Sequence, residues 1–206
     1  MKLKPDDLED PARYRLILTL NYGEIVTFVL EYLRKKSSLM FFFWTFCLLT
    51  FGIAAGIRVE IAGLYEHRSI FLHSMLGFII FPLVIIPVHE ALHVIPYVLS
   101  GARNIRAGAD LKQFIVYVTA HRYVATARQF RLVAMVPFAI ISAASVFLLL
   151  WLPGLWKWSI SSFLFAHSTM CAGDFALLNF YHLQSDKKIY TWDDADRREA
   201  YFYEEI

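Results

Sequence analysis

Only two cysteines, Cys47 and Cys171, occur among 206 residues. Both lie in apolar runs far apart in the chain, which argues against a disulfide framework and for packing roles. The first 15 residues, MKLKPDDLEDPARYR, contain no apolar stretch, so no cleavable signal peptide is expected. Repeats, low-complexity linkers and glycine-rich nucleotide loops are absent as well. A net charge of +2 leaves no footprint for nucleic acid. Charge is scarce throughout, at 18 % of residues, whereas 58 % are hydrophobic and 17 % aromatic, with a mean hydropathy of +0.48. Soluble domains are usually about 45–50 % apolar. The composition therefore predicts a multi-pass integral membrane protein with the lipid bilayer as its partner.

Four runs are nearly free of Asp, Glu, Lys and Arg. Ser37–Ile57 and Leu132–Trp156 are uninterrupted; Ser69–Ala102 is broken only by Glu90 and Trp158–Ser185 only by Asp174. Each is long enough to cross a hydrocarbon core of about 30 Å as a helix. The expected fold class is therefore membrane all-α, with about four transmembrane helices and short cytoplasmic β-hairpins. Expected divisions are an N-terminal segment over 1–36, a transmembrane domain over 37–185 with a hairpin loop at 103–131, and a tail over 186–206.

Of the 20 Lys and Arg residues, 17 fall in the N-terminal segment, the second connection and the tail. Only Arg58 and Arg68 in the first connection and Lys157 in the third lie on the other side. This bias predicts that both termini and the central loop are cytoplasmic.

Two carboxylates enter the apolar runs with no base beside them, so something else must compensate them. Glu90 lies within His89-Glu90-Ala91-Leu92-His93, an HExxH pattern. On a helix, residues four apart share a face, so two imidazoles can grip one Zn²⁺ while the intervening glutamate serves a water molecule as general base. A hydrolytic zinc site needs a third protein ligand and an open position. Asp174 fits by depth: Ala91 lies 12 residues from Arg103 and Asp174 lies 12 from Asp186, both roughly 18 Å along a helix from one edge. The small residues of 168–173 would let two helices approach closely there. His167, seven residues before Asp174, competes for the role but sits about 10 Å farther from that edge. Pro82, Pro87 and Pro96 predict a kink near the motif with a wet cavity, and Pro137 a bend in the third run.

Outside these runs, Phe114–Thr119 and Arg122–Ala125 read as a strand pair beside the site, with His121 in its turn. An edge there could hold an extended peptide by strand addition, and a purely structural hairpin fits the same pattern equally well. Thr126 to Gln129 fits a helix-starting capping box. Glu24–Lys36 reads as an amphipathic surface helix. Ile189–Trp192 and Ala200–Tyr203 read as a tail hairpin, with Asp193, Asp194 and Asp196 in a solvated turn.

Taken together, HEALH in a proline-bearing run, a hairpin leading to Thr126-x-x-Gln129, Val136-Pro137, and Ala172-Gly173-Asp174 resemble the DUF3267 zincin peptidase family, a small relative of site-2 protease-like intramembrane metalloproteases. The resemblance implies His89, His93 and Asp174 as zinc ligands and Glu90 as general base. Site-2 proteases carry an Asn-Pro-Asp-Gly-like setting where this chain has Cys171-Ala172-Gly173-Asp174. The sequence as a whole predicts an intramembrane zinc metalloprotease acting on a peptide or membrane-protein substrate near the cytoplasmic side. The runner-up is a catalytically silent zinc-binding membrane protein that acts as a scaffold or binds partners. A di-iron hydroxylase is disfavoured because the seven histidines lack repeated HxxxH-type clusters.

Overall fold

The computed structural model describes residues 3–110, 113 and 115–206. Along the chain run β1 (Tyr14–Asn21), α1 (Ile25–Arg34), α2 (Ser38–Glu60), α3 (His67–Met75), α4 (Phe81–Leu99), β2 (Ile105–Asp110), β3 (Ile115–Ala120), β4 (Ala125–Thr126), α5 (Ala127–Trp151), α6 (Gly154–Met170), α7 (Ala172–His182), β5 (Ile189–Asp194) and β6 (Glu199–Glu205). The chain is mostly helical, with two antiparallel sheets.

Three helical stretches are long and apolar enough to cross a membrane: Ser38–Glu60, His67–Leu99 and Ala127–Trp151. The fourth run expected from the sequence is not one helix. It breaks at Cys171 into α6 of 17 residues and α7 of 11. The boundary before it also moves, since α5 ends at Trp151, Leu152-Pro153 makes the turn, and Lys157 lies inside α6. Absence of charge cannot mark such a turn, but Pro153 and Gly154 do. Gly154 has φ +52°, and a Cβ there would lie 2.2 Å from the Tyr65 hydroxyl oxygen.

α3 and α4 join through a π-helical turn, Leu76–Ile80, just ahead of Pro82. A proline lacks the N–H that a regular helix would use, and the widened turn absorbs this misfit. The same turn presses Gly77 onto α6, where a Cβ would meet the Ser159 carbonyl oxygen at 2.5 Å and the Ser162 Cβ at 2.7 Å. Ser159, Ser161 and Ser162 are fully buried, so small residues on both sides set this close helix approach.

The sheets depart most from expectation. β3 pairs with β2, in register from Ile105↔Ala120 to Asp110↔Ile115, and not with the residues after His121. Phe114, the expected start of that strand, lies outside the described residues, as do Lys2 and Lys112 of the charge pattern. The tail hairpin forms as expected from β5 and β6, but it belongs to a four-stranded sheet ordered β1-β6-β5-β4. β1 was not anticipated. Its pairing with β6 from Tyr14↔Glu205 to Asn21↔Glu199 is long-range, and a bulge between Leu16 and Leu18 blurs its alternation. Thus the four-stranded sheet is an integral layer that packs on the helices. Leu20, Phe28, Phe180, Tyr181, Ile189 and Phe202 form the core between that sheet, α1 and α7. The amphipathic helix after β1 is present as α1. The Thr126–Gln129 capping box also forms, with Thr126 Oγ1 accepting from the Gln129 amide at 3.3 Å and the Gln129 side chain accepting from the Thr126 amide at 2.9 Å.

Candidate metal centre

α4 carries His89, Glu90 and His93, and helical spacing places the two imidazoles one turn apart on the same face, 4.9 Å between ring centroids. Both are 8 % exposed. The break at Cys171 sets Asp174 in the first turn of α7, where the helix dipole favours a carboxylate. Asp174 Oδ2 lies 3.3 Å from His89 Nε2, and its Oδ1 lies 3.5 Å from His93 Nε2. The three residues singled out by pattern and depth therefore meet, with each carboxylate oxygen facing one ring nitrogen.

The other ring nitrogens decide what can lie between these atoms. His93 Nδ1 is 2.8 Å from the Val133 carbonyl oxygen, which only accepts, so Nδ1 carries a proton and donates it. In the neutral ring, Nε2 then points a lone pair at the Asp174 carboxylate. Two lone pairs facing each other across 3.5 Å call for a cation between them. Zinc bonds of about 2.0–2.1 Å to nitrogen and oxygen place tetrahedral donors about 3.3–3.4 Å apart, so the donor set and its spacing fit Zn²⁺.

His167 does not join this set. Its Nε2 lies 3.2 Å from His89 Nδ1, on the far side of that ring from Asp174. It is fully buried, and its own Nδ1 has no partner among the described residues. It stands against the second ring nitrogen of His89, where an outer partner of a metal ligand would stand, as the Val133 carbonyl stands against that of His93. By depth along the helix, His167 ranked below Asp174 as a ligand and had no role as an outer partner. The Val133 carbonyl left no sequence signal, because any residue supplies one. Cys171 Sγ lies 3.8 Å from His167 Nε2, and His89, His167 and Cys171 form a second group of metal-competent atoms within 4.8 Å of one another.

Glu90 does not point away from the pair: one of its oxygens falls within 4.8 Å of ligand atoms of both histidines. The Val118 backbone amide lies against its carboxylate. These groups line a cavity of about 520 Å³ whose walls are otherwise mostly apolar, contributed mainly by α1, α4, α5, α7 and strands β1, β3, β5 and β6. Five successive β3 residues, Ile115 to Thr119, line it. Side chains alternate across a strand, so an unbroken run means that β3 presents its backbone edge to the cavity.

His121, expected in a solvated turn, is instead nearly buried, at 9 % side-chain exposure. Its Nδ1 accepts the Ala195 N–H at 3.1 Å, while Asp194 accepts the backbone N–H groups of Asp196 and Arg197 and Asp196 pairs with Arg106. His121, Asp194 and Asp196 also cluster within 4.8 Å, but these bonds make them the clasp between the two hairpins.

Curated proteins and solved structures give no match to this chain. A family model, DUF3267, with the description "Putative zincin peptidase", matches residues 82–190, a stretch that contains α4, the hairpin, α5 and Asp174. Zincin peptidases are zinc metallopeptidases by definition, which agrees with the donor set. On that match over more than half its length, the chain belongs to the DUF3267 family.

Proposed function

We propose that this protein is an intramembrane zinc metallopeptidase of site-2 protease-like type that hydrolyses peptide bonds near the cytoplasmic face of the bilayer. The observation that carries the reading is the convergence of His89 Nε2 and His93 Nε2 on the two oxygens of Asp174 at 3.3 and 3.5 Å, beside Glu90 and inside a cavity. These three residues hold the metal in this reading. Zinc there supplies a Lewis acid that lowers the pKa of a coordinated water to about 7. Glu90 accepts a proton from the attacking water and returns it to the leaving amine. His167 and the Val133 carbonyl hold the imidazoles in the orientation that aims both Nε2 atoms at Asp174. The exposed edge of β3 receives an extended substrate by strand addition, which would place its scissile carbonyl beside Glu90 at Val118.

The membrane reading rests on the three long apolar helices together with the outward apolar side chains of α2, such as Phe41 at 75 % and Leu48 at 70 % exposure. α6 and α7 act as a fourth, broken crossing, since irregular backbone is tolerated at membrane depth where protein buries it. The distribution of Lys and Arg places 1–36, the hairpin region 103–131 and the tail 186–206 on the cytoplasmic side. The decisive experiment incubates the purified protein in detergent or nanodiscs with a library of transmembrane and juxtamembrane peptides. Cleavage that a chelator abolishes and added zinc restores supports the proposal. Zinc binding without cleavage of any peptide would favour the silent scaffold.

A further inference from the structure

A third carboxylate faces the same cavity as Glu90 and Asp174. Asp193, in β5, lines the wall together with Tyr22 and Thr119. The Tyr22 hydroxyl donates to Asp193 Oδ1 at 3.3 Å. Thr119 lies beside the same carboxylate, is 3 % exposed, and its Oγ1 has no well-formed hydrogen bond among the described residues. This polar corner interrupts a wall that is otherwise mostly apolar.

The charges around it do not balance. Among the described residues no Lys or Arg lines the cavity and none pairs with Asp193, whereas neighbouring Asp196 has Arg106. His121 approaches Asp193, but both of its ring nitrogens are engaged elsewhere: Nδ1 accepts the Ala195 N–H at 3.1 Å and Nε2 lies 3.6 Å from the Asp196 carboxylate. A divalent cation at the metal centre would offset Glu90 and Asp174 and leave the Asp193 charge over. Burial raises the Asp193 pKa, and this outweighs the Thr119 and Tyr22 hydroxyls and the His121 ring beside it, which lower it. Burial and the nearby Asp193 charge likewise push the Tyr22 hydroxyl upward, so Tyr22 stays a donor and supplies no second negative charge.

Position follows from the strand edge. Val118, whose amide lies against Glu90, and Thr119, which lies against Asp193, are consecutive residues of β3. They are about 3.3 Å apart along the strand. Tyr97, one helical turn beyond His93, stands close enough to feel both Asp174 and Asp193. A substrate laid along β3 with its scissile bond at Glu90 would thus bring a residue one or two positions away to Asp193.

We propose that Asp193, with the Thr119 and Tyr22 hydroxyls, is a specificity subsite for a cationic group, a lysine or arginine side chain within one or two residues of the scissile bond. The assignment of that bond rests on the peptidase reading above; the cation preference itself does not. Asp193→Asn keeps the size and the acceptor for Tyr22 while removing the charge, and Asp193→Glu keeps the charge.

The test uses a peptide pair identical except for lysine or norleucine at each position flanking the cleavage site, with the purified zinc-loaded protein. Cleavage is followed by mass spectrometry and binding of the same fluorescently labelled peptides by anisotropy. At one flanking position the wild type should prefer lysine by about 10–100-fold in kcat/KM, mostly through KM. Asp193→Asn should lose that preference, its kcat/KM for the lysine peptide falling toward its own value for the norleucine peptide, with circular dichroism reporting its folding. Asp193→Glu should retain part of the preference. Equal handling of the two peptides by the wild type, or a lysine preference that survives Asp193→Asn, would overturn the subsite. If no peptide is cleaved, the peptidase reading fails, and the subsite is then judged on binding alone. A lysine preference in binding that Asp193→Asn abolishes supports it, and its absence overturns it.

Discussion

Replacing Asp174 by Asn should weaken metal binding without harming the metal-free fold, and the geometry sets both effects. Each carboxylate oxygen faces one imidazole Nε2, at 3.3 and 3.5 Å, so the amide must turn its NH₂ toward one of them. In the metal-free protein that NH₂ donates to a ring lone pair and replaces a contact between two acceptors, while a buried negative charge disappears. The apo variant should be as stable as the apo wild type, or slightly more so. With zinc the sign reverses, because one ligand oxygen and one unit of charge are lost. Removing even an outer partner of a metal ligand typically costs about 10–100-fold in affinity, so loss of a direct ligand should cost at least that. A ligand present at about 100 times its Kd stabilises the fold by about 2.7 kcal/mol. A 100-fold weaker site at the same zinc concentration would keep only about 0.4 kcal/mol of that. The assay is thermal unfolding in detergent, with and without zinc, alongside metal quantification. A zinc-induced shift in Asp174→Asn equal to that of the wild type would refute Asp174 as a ligand.

Two further predictions follow from the surroundings of the site. His167→Phe fills a similar volume but leaves His89 Nδ1 without its partner at 3.2 Å, so zinc affinity should fall by about 10–100-fold; competitive chelator titration measures it, and an unchanged affinity would remove His167 from the orienting role. Single cysteines introduced at Lys188 and Glu66, both in contexts outside the long apolar helices, should behave oppositely toward an impermeant thiol reagent in intact cells: Glu66 should label and Lys188 should be protected, and the reverse pattern would invert the topology.

The metal-competent residues were legible in the sequence because the features that mark them are local or metric. HExxH places two rings on one helical face whatever surrounds it, and a count of residues to the nearest charge set Asp174 at the depth of His89 and His93. Where α6 gives way to α7 was not legible, since Cys171 and Ala172 carry no charge and no proline. That break matters for the site, because it puts Asp174 in a helix's first turn. The partner of β3 was misread because Ile105–Asp110, with two alanines, a glycine and an aspartate among its six residues, has little strand-like composition, and long-range pairing such as β1 with β6 has no local signature. His121 and Asp194 looked like parts of solvated turns for the same reason: what encloses them is the junction of two hairpins far apart in sequence. Asp193 stood out neither by motif nor by spacing, and only the cavity singles it out.

Glu90 is the residue whose replacement separates catalysis from metal binding. In the proposed mechanism the Glu90 carboxylate accepts a proton and is not the third ligand, so Glu90→Gln should leave zinc content near that of the wild type and preserve folding. Loss of a positioned acid–base group typically costs about 10²–10⁴-fold in rate, and peptide cleavage measured beside metal content on the same preparation should fall by at least that factor. Cleavage at the wild-type rate in Glu90→Gln would contradict the mechanism outright, and loss of zinc in Glu90→Gln with zinc retained in Asp174→Asn would show that the two carboxylates have the opposite roles.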